Sequence, residues 1–275
     1  MNAGAKPITD SSILLEIKNV DKAFGGIRAL RNISFRLQEG YITGLIGPNG
    51  AGKTTLFNLI TGIFPADTGE IRFNGRSVNG FLVHELVGIG IARTFQNVEL
   101  FESMTALENI MVGMHTRTKC GMIGSILRLP KIINEERRTM KKAFELLKFV
   151  GLEKYAHQKS GDLPFGWQRM LELARALAAE PELLLLDEPA AGLNMSETRE
   201  LGGLIQQIRD QGVSILLVEH DMNLTMSISD KIVVLDQGRK IAEGPPRAVQ
   251  SDDAVMAAYL GKAKKQGQHA SHTQS

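Results

Sequence analysis

The stretch GPNGAGKT, residues 47–54, carries glycines, a lysine and a threonine at the spacing G-x-x-x-x-G-K-[ST]. That combination suits a polyphosphate. Gly47, Gly50 and Gly52 let the backbone wrap tightly and aim successive N–H groups at phosphate oxygens. Pro48, Asn49 and Ala51 lie in the same wrap, and Thr55 opens the following helix. Lys53 can reach the β- and γ-phosphates, and the Thr54 hydroxyl is a ligand of the type Mg²⁺ takes. A second group of reactive side chains lies far downstream. LLLLDEP, residues 183–189, ends four leucines with Asp187 and Glu188. Carboxylates at the carboxyl end of a buried strand sit where open α/β sheets bind ligands. Asp187 is placed to hold the metal, and Glu188 to orient or deprotonate an attacking water. His220 ends a further apolar strand, ILLVEH, as a candidate γ-phosphate contact, and Gln96 in IARTFQ is a polar residue after another such run.

The surrounding pattern has to position these groups. ILLEIKNV (13–20) and NISFRLQ (32–38) alternate apolar and polar residues, as half-buried antiparallel strands do. YITGLIG (41–47) is more uniformly apolar and reads as a central strand leading into the phosphate loop. KTTLFNLITG (53–62) reads as a helix closed by Gly62, and GEIRFNG (69–75) returns to strand. From Ala106 to about Leu177 the composition turns helical. Within it the segment 134–152 has Asn134 as expected N-cap and Glu135 and Glu136 in the expected first turn. Beyond it, apolar strands at 182–189 and 213–220, a helix at 195–210, a hairpin at 231–244 and a short final helix alternate. Apolar strands alternating with helices predict a parallel sheet covered on both faces, with the helical block inserted as a lobe at about 98–177. The ordered domain is expected over 13–261, flanked by a flexible N-terminus, 1–12, and a disordered tail, 262–275.

Bulk composition narrows the partners. Thirty-two Lys and Arg against thirty Asp and Glu leave a net charge of +2 over 275 residues, which gives no electrostatic case for nucleic acid. A single cysteine, Cys120, permits no intramolecular disulfide and favours a reducing compartment. No apolar run approaches the ~20 residues of a membrane-spanning helix, so any membrane role is expected to pass through another chain.

Taken in this order, the motifs resemble the ATP-binding cassette of ABC transporters over about residues 13–261. The resemblance implies a P-loop α/β cassette: a mostly parallel sheet core, an N-terminal antiparallel β subdomain and an inserted helical subdomain. It implies ATP and Mg²⁺ as ligands, with Phe24 in KAFGG stacking on adenine. Gln96 corresponds to the Q-loop, which senses Mg²⁺ and faces the membrane partner. Asp187 and Glu188 correspond to the metal-binding aspartate and catalytic glutamate, AAGLN (190–194) to the D-loop, and His220 to the switch histidine. The stretches 90–115 and 116–140, with DEPAAGLN, EHDM and the ending AAYLG, narrow the resemblance to the longer ATPase subunit of branched-chain amino acid transporters. That implies a second, shorter ATPase subunit, two membrane-embedded permeases and, indirectly, an extracytoplasmic solute-binding protein. It also implies a peripheral location on the cytoplasmic face of the inner (plasma) membrane. Other readings stand beside it: import of urea or amides, export of lipid or lipopolysaccharide precursors, or a soluble ABC-type ATPase not tied to transport.

The segment that reads L-S-G-G-Q in this family, and contacts ATP held by the opposite subunit, is Leu163-Pro164-Phe165-Gly166-Trp167 here. Pro164 supplies neither a hydroxyl nor an N–H. Trp167 offers only an indole N–H and an apolar face. Gly166 remains as the position where backbone can approach the partner's phosphate, with a helix N-terminus behind it. The expectation is a pair of unequal ATP sites, the weaker one at the partner's phosphate loop.

Overall fold

The computed structural model describes residues 13–94, 99–114 and 130–259, with backbone alone for 130–136. Gln96, the expected flexible segment 1–12 and the expected tail 262–275 lie outside the described residues. The chain forms two compact units, one from Met1–Leu82 with Arg209–Ser275, the other from Val83–Ile208.

In the first unit, β1 (Ile13–Phe24) and β2 (Ile27–Gln38) form an antiparallel hairpin, and β4 (Thr68–Phe73) pairs with the other edge of β1, followed by β5 (Arg76–Ser77). The first strand outruns the expected 13–20. Register shifts on either side of Val20, with Asn19 at φ 48°, mark irregularities that absorb the polar Asn-Val-Asp-Lys stretch and let pairing resume to Phe24. The turn at Gly25 and Gly26, both at positive φ, then reverses the chain.

The uniformly apolar strand is β3 (Ile42–Ile46), buried at every position. It pairs in parallel with β8 (Ser214–Val218) and β9 (Lys231–Asp236), and β10 (Arg239–Gly244) closes against β9 antiparallel. Helix α1 (Lys53–Ile60) buries Leu56, Phe57, Leu59 and Ile60. It ends as expected around Gly62, whose N–H bonds to Leu59 O while Ile63 N–H bonds to Asn58 O, the paired closure that a left-handed glycine permits. Helices α7 (Met222–Ile228) and α8 (Pro246–Gln250) follow their strands, and a final helical stretch covers 253–259. Ile46, Ile232, Val234, Val249 and Val255 form a buried cluster against which Met222, Met226 and Tyr259 pack.

In the second unit α2 (Val83–Gly88) leads to β6 (Ile91–Arg93), which pairs in parallel with β7 (Leu183–Asp187). Between them in sequence come α3 (Ala106–Met114), α4 (Pro130–Phe149) and α5 (Phe165–Leu177); α6 (Met195–Asp210) follows β7 and leads back to the first unit. Helices α3 and α5 approach closely because position 113 has no side chain: a Cβ on Gly113 would lie 2.4 Å from Arg175 O. Asn109, fully buried, ties this region together. Its amide nitrogen donates to Phe101 O, Thr105 O and Ser160 Oγ, and its oxygen accepts from Phe101 N–H. The expected Asn134 N-cap is corrected: Asn134 is inside α4, which opens at Pro130, a residue with φ pre-set for the first turn. The same helix stops before the expected 152, because Gly151 at φ 76° closes it through Gly151 N–H to Lys148 O and Leu152 N–H to Leu147 O.

No helix among the described residues is long and apolar enough to cross a membrane.

Candidate functional site

In the first unit the chain leaves β3 at Ile46 and wraps through Gly47–Gly52 into α1. Gly47, Gly50 and Gly52 stand at φ 153°, 78° and 103°. For Gly47 and Gly52 the space is as restrictive as the angle. A Cβ on Gly47 would lie 2.1 Å from Leu235 O, and one on Gly52 2.8 Å from Ala29 O. The wrap is tightened by Ala51 N–H bonding to Pro48 O, and braced from the β9–β10 turn by Gly238 N–H bonding to Ala51 O. Lys53 is buried, and its Nζ donates to Gly47 O at 2.7 Å and Pro48 O at 3.3 Å, so the ammonium is folded back over the loop. Asn49, Gly50 and Thr54 are exposed, Thr55 half-buried, and no acidic residue stands in the first turn of α1. A helix N-terminus with a lysine and no carboxylate on its first turn attracts an anion.

Phe24 closes β1 in the same unit, with its ring about two-fifths exposed and meeting Phe64 edge-on at 5.3 Å between centroids. Lys22 Nζ lies 5.3 Å from the Phe24 centroid. It is held there by Asp67, 2.7 Å away, whose other oxygen accepts from Ala23 N–H. The Lys22 ammonium and that N–H keep the Asp67 carboxyl below its ordinary range. The strand end that presents Phe24 is therefore fixed on two sides, as an aromatic platform requires. His220 follows β8 and is exposed, while its neighbour Glu219 is buried and accepts from His220 N–H at 3.1 Å. Asp221 then caps α7 through Asn223 and Leu224 N–H.

The second unit carries the acids. Asp187 is 4% exposed at the end of β7, and its Oδ2 lies 2.7 Å from Arg93 Nη2. Parallel pairing of Ile91, Ala92 and Arg93 with Leu183, Leu184 and Leu185 brings this cation to the buried carboxylate. Two ions so enclosed are tolerable only together. Sequence reasoning overlooked Arg93; its trace was a charge at the end of the apolar run GIGIA. Glu188 is partly exposed and holds φ 49°, a left-handed conformation that glutamate rarely adopts, with its carbonyl accepting from Ala191 N–H. The next turn passes through Gly192 at φ 82° to Asn194, which caps α6 reciprocally with Glu197.

The segment before α5 is built differently from the phosphate loop. Pro164 is the N-cap residue, and its carbonyl accepts from Trp167 and Gln168 N–H at 2.9 and 3.0 Å. Gln168 turns back to donate to Ser160 O and Leu163 O. Trp167 is about one-third exposed and lies against Tyr155, 4.3 Å between ring centroids. Phe165 covers Gly192, where a Cβ would meet its ring at 2.8 Å. Gly166 is buried beneath Glu197, whose Oε1 would lie 2.7 Å from a Cβ at that position. Glu197 had no signal in the sequence beyond its spacing from Asn194.

The donor types fit the ligands that the sequence suggests. Glycine-borne amides and Lys53 suit a triphosphate, and the oxygens of Thr54 and Asp187 are the hard donors Mg²⁺ takes.

The chain is similar to known proteins over most of its length. The family model described as ABC transporter matches residues 30–191, and one described as branched-chain amino acid ATP-binding cassette transporter matches residues 239–265. The chain is 42% identical over 251 residues to the high-affinity branched-chain amino acid transport ATP-binding protein BraF of Pseudomonas aeruginosa, covering 91% of this chain and 98% of that one. It is 41% identical over 254 residues to the corresponding protein LivG of Escherichia coli, covering 92% of this chain and all of that one (100%). Among solved structures, the ADP conformation of an ATP-binding cassette of an ABC transporter superposes with a TM-score of 0.79 at 32% identity, covering 90% of this chain and 99% of the other.

Proposed function

This chain belongs to the ATP-binding cassettes of ABC transporters, and from that premise we propose that it is the ATP-hydrolysing, energy-coupling subunit of an importer for branched-chain amino acids. The single observation that carries the reading is the phosphate loop, with Lys53 folded onto Gly47 and Pro48 at the mouth of an acid-free helix start. The solute is taken from the printed names of BraF and LivG and from the family match at 239–265.

In this reading the amides of the loop bind the β- and γ-phosphates of ATP, and Lys53 leaves its two carbonyls for phosphate oxygens. Phe24 stacks on the adenine. Thr54, Asp187 and Gln96 are assigned to Mg²⁺ from the family's motifs; the ion, when bound, neutralises charge on the transferred phosphoryl group. Glu188 orients or deprotonates the attacking water, and His220 contacts the γ-phosphate. Gly166 approaches ATP held by a second cassette in a head-to-tail pair, with two permeases as membrane partners and a solute-binding protein outside. The location that follows is peripheral, on the cytoplasmic face of the membrane.

The test is reconstitution of the chain with its permeases and second cassette in liposomes. Leucine-laden binding protein should stimulate ATP hydrolysis and uptake together, and stimulation by urea or an amide but not by leucine would overturn the solute assignment. In the same system Glu188→Gln should retain ATP binding while turnover falls about 10²–10⁴-fold, the range for removing a general base. Full turnover would remove Glu188 from that role.

A further inference from the structure

The loop between α1 and β4, residues 61–67, sends two side chains to the end of β1. Phe64 meets the Phe24 ring edge-on. Asp67 accepts from the two residues that precede Phe24, with Lys22 Nζ on Oδ1 and Ala23 N–H on Oδ2, both at 2.7 Å. The same Lys22 ammonium stands over the Phe24 ring. One carboxylate therefore holds both the backbone that leads into the ring and the cation on its face. Asp67 is itself held against β1: its N–H donates to Asp21 O at 3.0 Å, and the next residue, Thr68, donates its hydroxyl to Asp21 Oδ2. Lys22 is 8% exposed, whereas Phe24 keeps about two-fifths of its surface open.

Such a clamp answers a local problem. Phe24 is the last residue of β1 and is followed by Gly25 and Gly26, both at positive φ and both of the most permissive residue type. A ring that stacks on a base contributes most when its orientation is set beforehand. With Lys22 over the ring, one face is taken and a base is directed to the other. The clamp also begins where α1 ends. Lys53 opens that eight-residue helix at the phosphate loop, and residues 61–67 follow its last turn. A single short helix thus joins the groups assigned to phosphate to the carboxylate behind the aromatic ring. We propose that Asp67, through Lys22 and Ala23, is a positioning residue for Phe24: it fixes the ring as a one-sided platform for a purine base, and so sets how much the base adds to the binding of a nucleoside triphosphate. The inference rests on the reading of Phe24 as the adenine-stacking residue and of 47–54 as the phosphate site.

A loop that only supports the fold would weaken every ligand of the site alike, whereas a base platform acts on ligands that carry a base. The probes are ATP and inorganic tripolyphosphate, each titrated calorimetrically against the full chain with Mg²⁺. Asp67→Ala should raise the Kd for ATP about three- to tenfold, the range for one lost hydrogen bond, and leave that for tripolyphosphate within about twofold. Asp67→Asn retains an acceptor for Ala23 N–H and loses the charge that holds Lys22. It should show the same selective loss to a smaller degree, and it carries the test if the alanine variant does not fold. An unchanged Kd for ATP, or equal losses for both probes, overturns the inference. Phe24→Ala, run in parallel, separates the two levels. If Phe24→Ala weakens ATP selectively while the Asp67 variants bind ATP as the wild type does, only the role of Asp67 fails. If Phe24→Ala itself binds ATP with the wild-type Kd, the reading of Phe24 fails and the inference falls with it.

Discussion

The phosphate loop enters α1 through Gly52, and α5 carries Gly166 in its first turn, yet the two helix starts present opposite surfaces. At α1 the first turn carries Lys53 and no acid, and the glycines are enclosed by backbone: Leu235 O beside Gly47, Ala29 O beside Gly52. At α5 the first turn carries Phe165 and Trp167, and the glycine is covered by the carboxylate of Glu197. A helix N-terminus attracts an anion in either place. What differs is what already stands there, a cation in one case and a side-chain carboxylate in the other. The same local device is thus enclosed by backbone in the first unit and covered by apolar and acidic side chains in the second.

The sharpest way to break this contrast is to add one methyl group to each glycine. Gly47→Ala should be the most damaging change, because the methyl meets a carbonyl of β9 that cannot move without opening the sheet. A loss of at least about 4 kcal/mol in urea-unfolding stability is expected, with ATP binding lost as well. A wild-type unfolding midpoint would mean the loop is not rigid. Arg93→Ala tests the second unit's acids at an intermediate level. Stranding the buried Asp187 carboxylate should lower stability by about 3 kcal/mol, read from the same urea transitions, and Arg93→Lys should recover part of it. Gly166→Ala should be the mildest. The methyl meets the end of the Glu197 side chain, which can move aside by giving up its capping bond from Asn194 N–H, and alanine is the better helix former. The expected change is within about 1 kcal/mol of wild type, and this chain's own ATP affinity should not move. Comparable losses at 47 and 166 would erase the distinction between the two helix starts.

The same contrast explains what the sequence made legible. A backbone-built turn announces itself through glycine spacing, since each left-handed or crowded position excludes other residues; the wrap at residues 47–54 was readable for that reason. The family, the P-loop cassette fold and the ATPase activity followed from the resemblance that this motif and the others in register carry, and known proteins bear them out. A charge-compensated site gives no such local sign. Arg93 and Asp187 are 94 positions apart, and only the parallel pairing of β6 with β7 makes them partners. Tyr259 was visible as part of a family ending, but its packing on the cluster that holds Ile46 and Ile232 depends on how the last helical stretch returns to the sheet. Element ends failed where glycine and proline set the boundary. Pro130 starts α4 ahead of the expected Asn134, and Gly151 stops it before 152. The first strand ran long because irregular pairing around Asn19 carried it through polar residues that read as its end.

The division of the chain between its two units has a consequence for how the protein is made. Residues 83–208 form one unit from a single uninterrupted stretch, so all of its own residues are synthesised before Arg209–Ser275. The other unit is assembled from both sides of it. Its phosphate loop emerges early, but β3 has neither neighbour until β8 and β9 are synthesised, and the Gly238 and Tyr259 contacts come later still. The loop proposed to bind nucleotide is therefore among the first parts translated and among the last to be held by its strand neighbours. A chain ending between residues 54 and 213 carries the glycine-rich motif intact in sequence while β3 has neither of its strand neighbours to hold it.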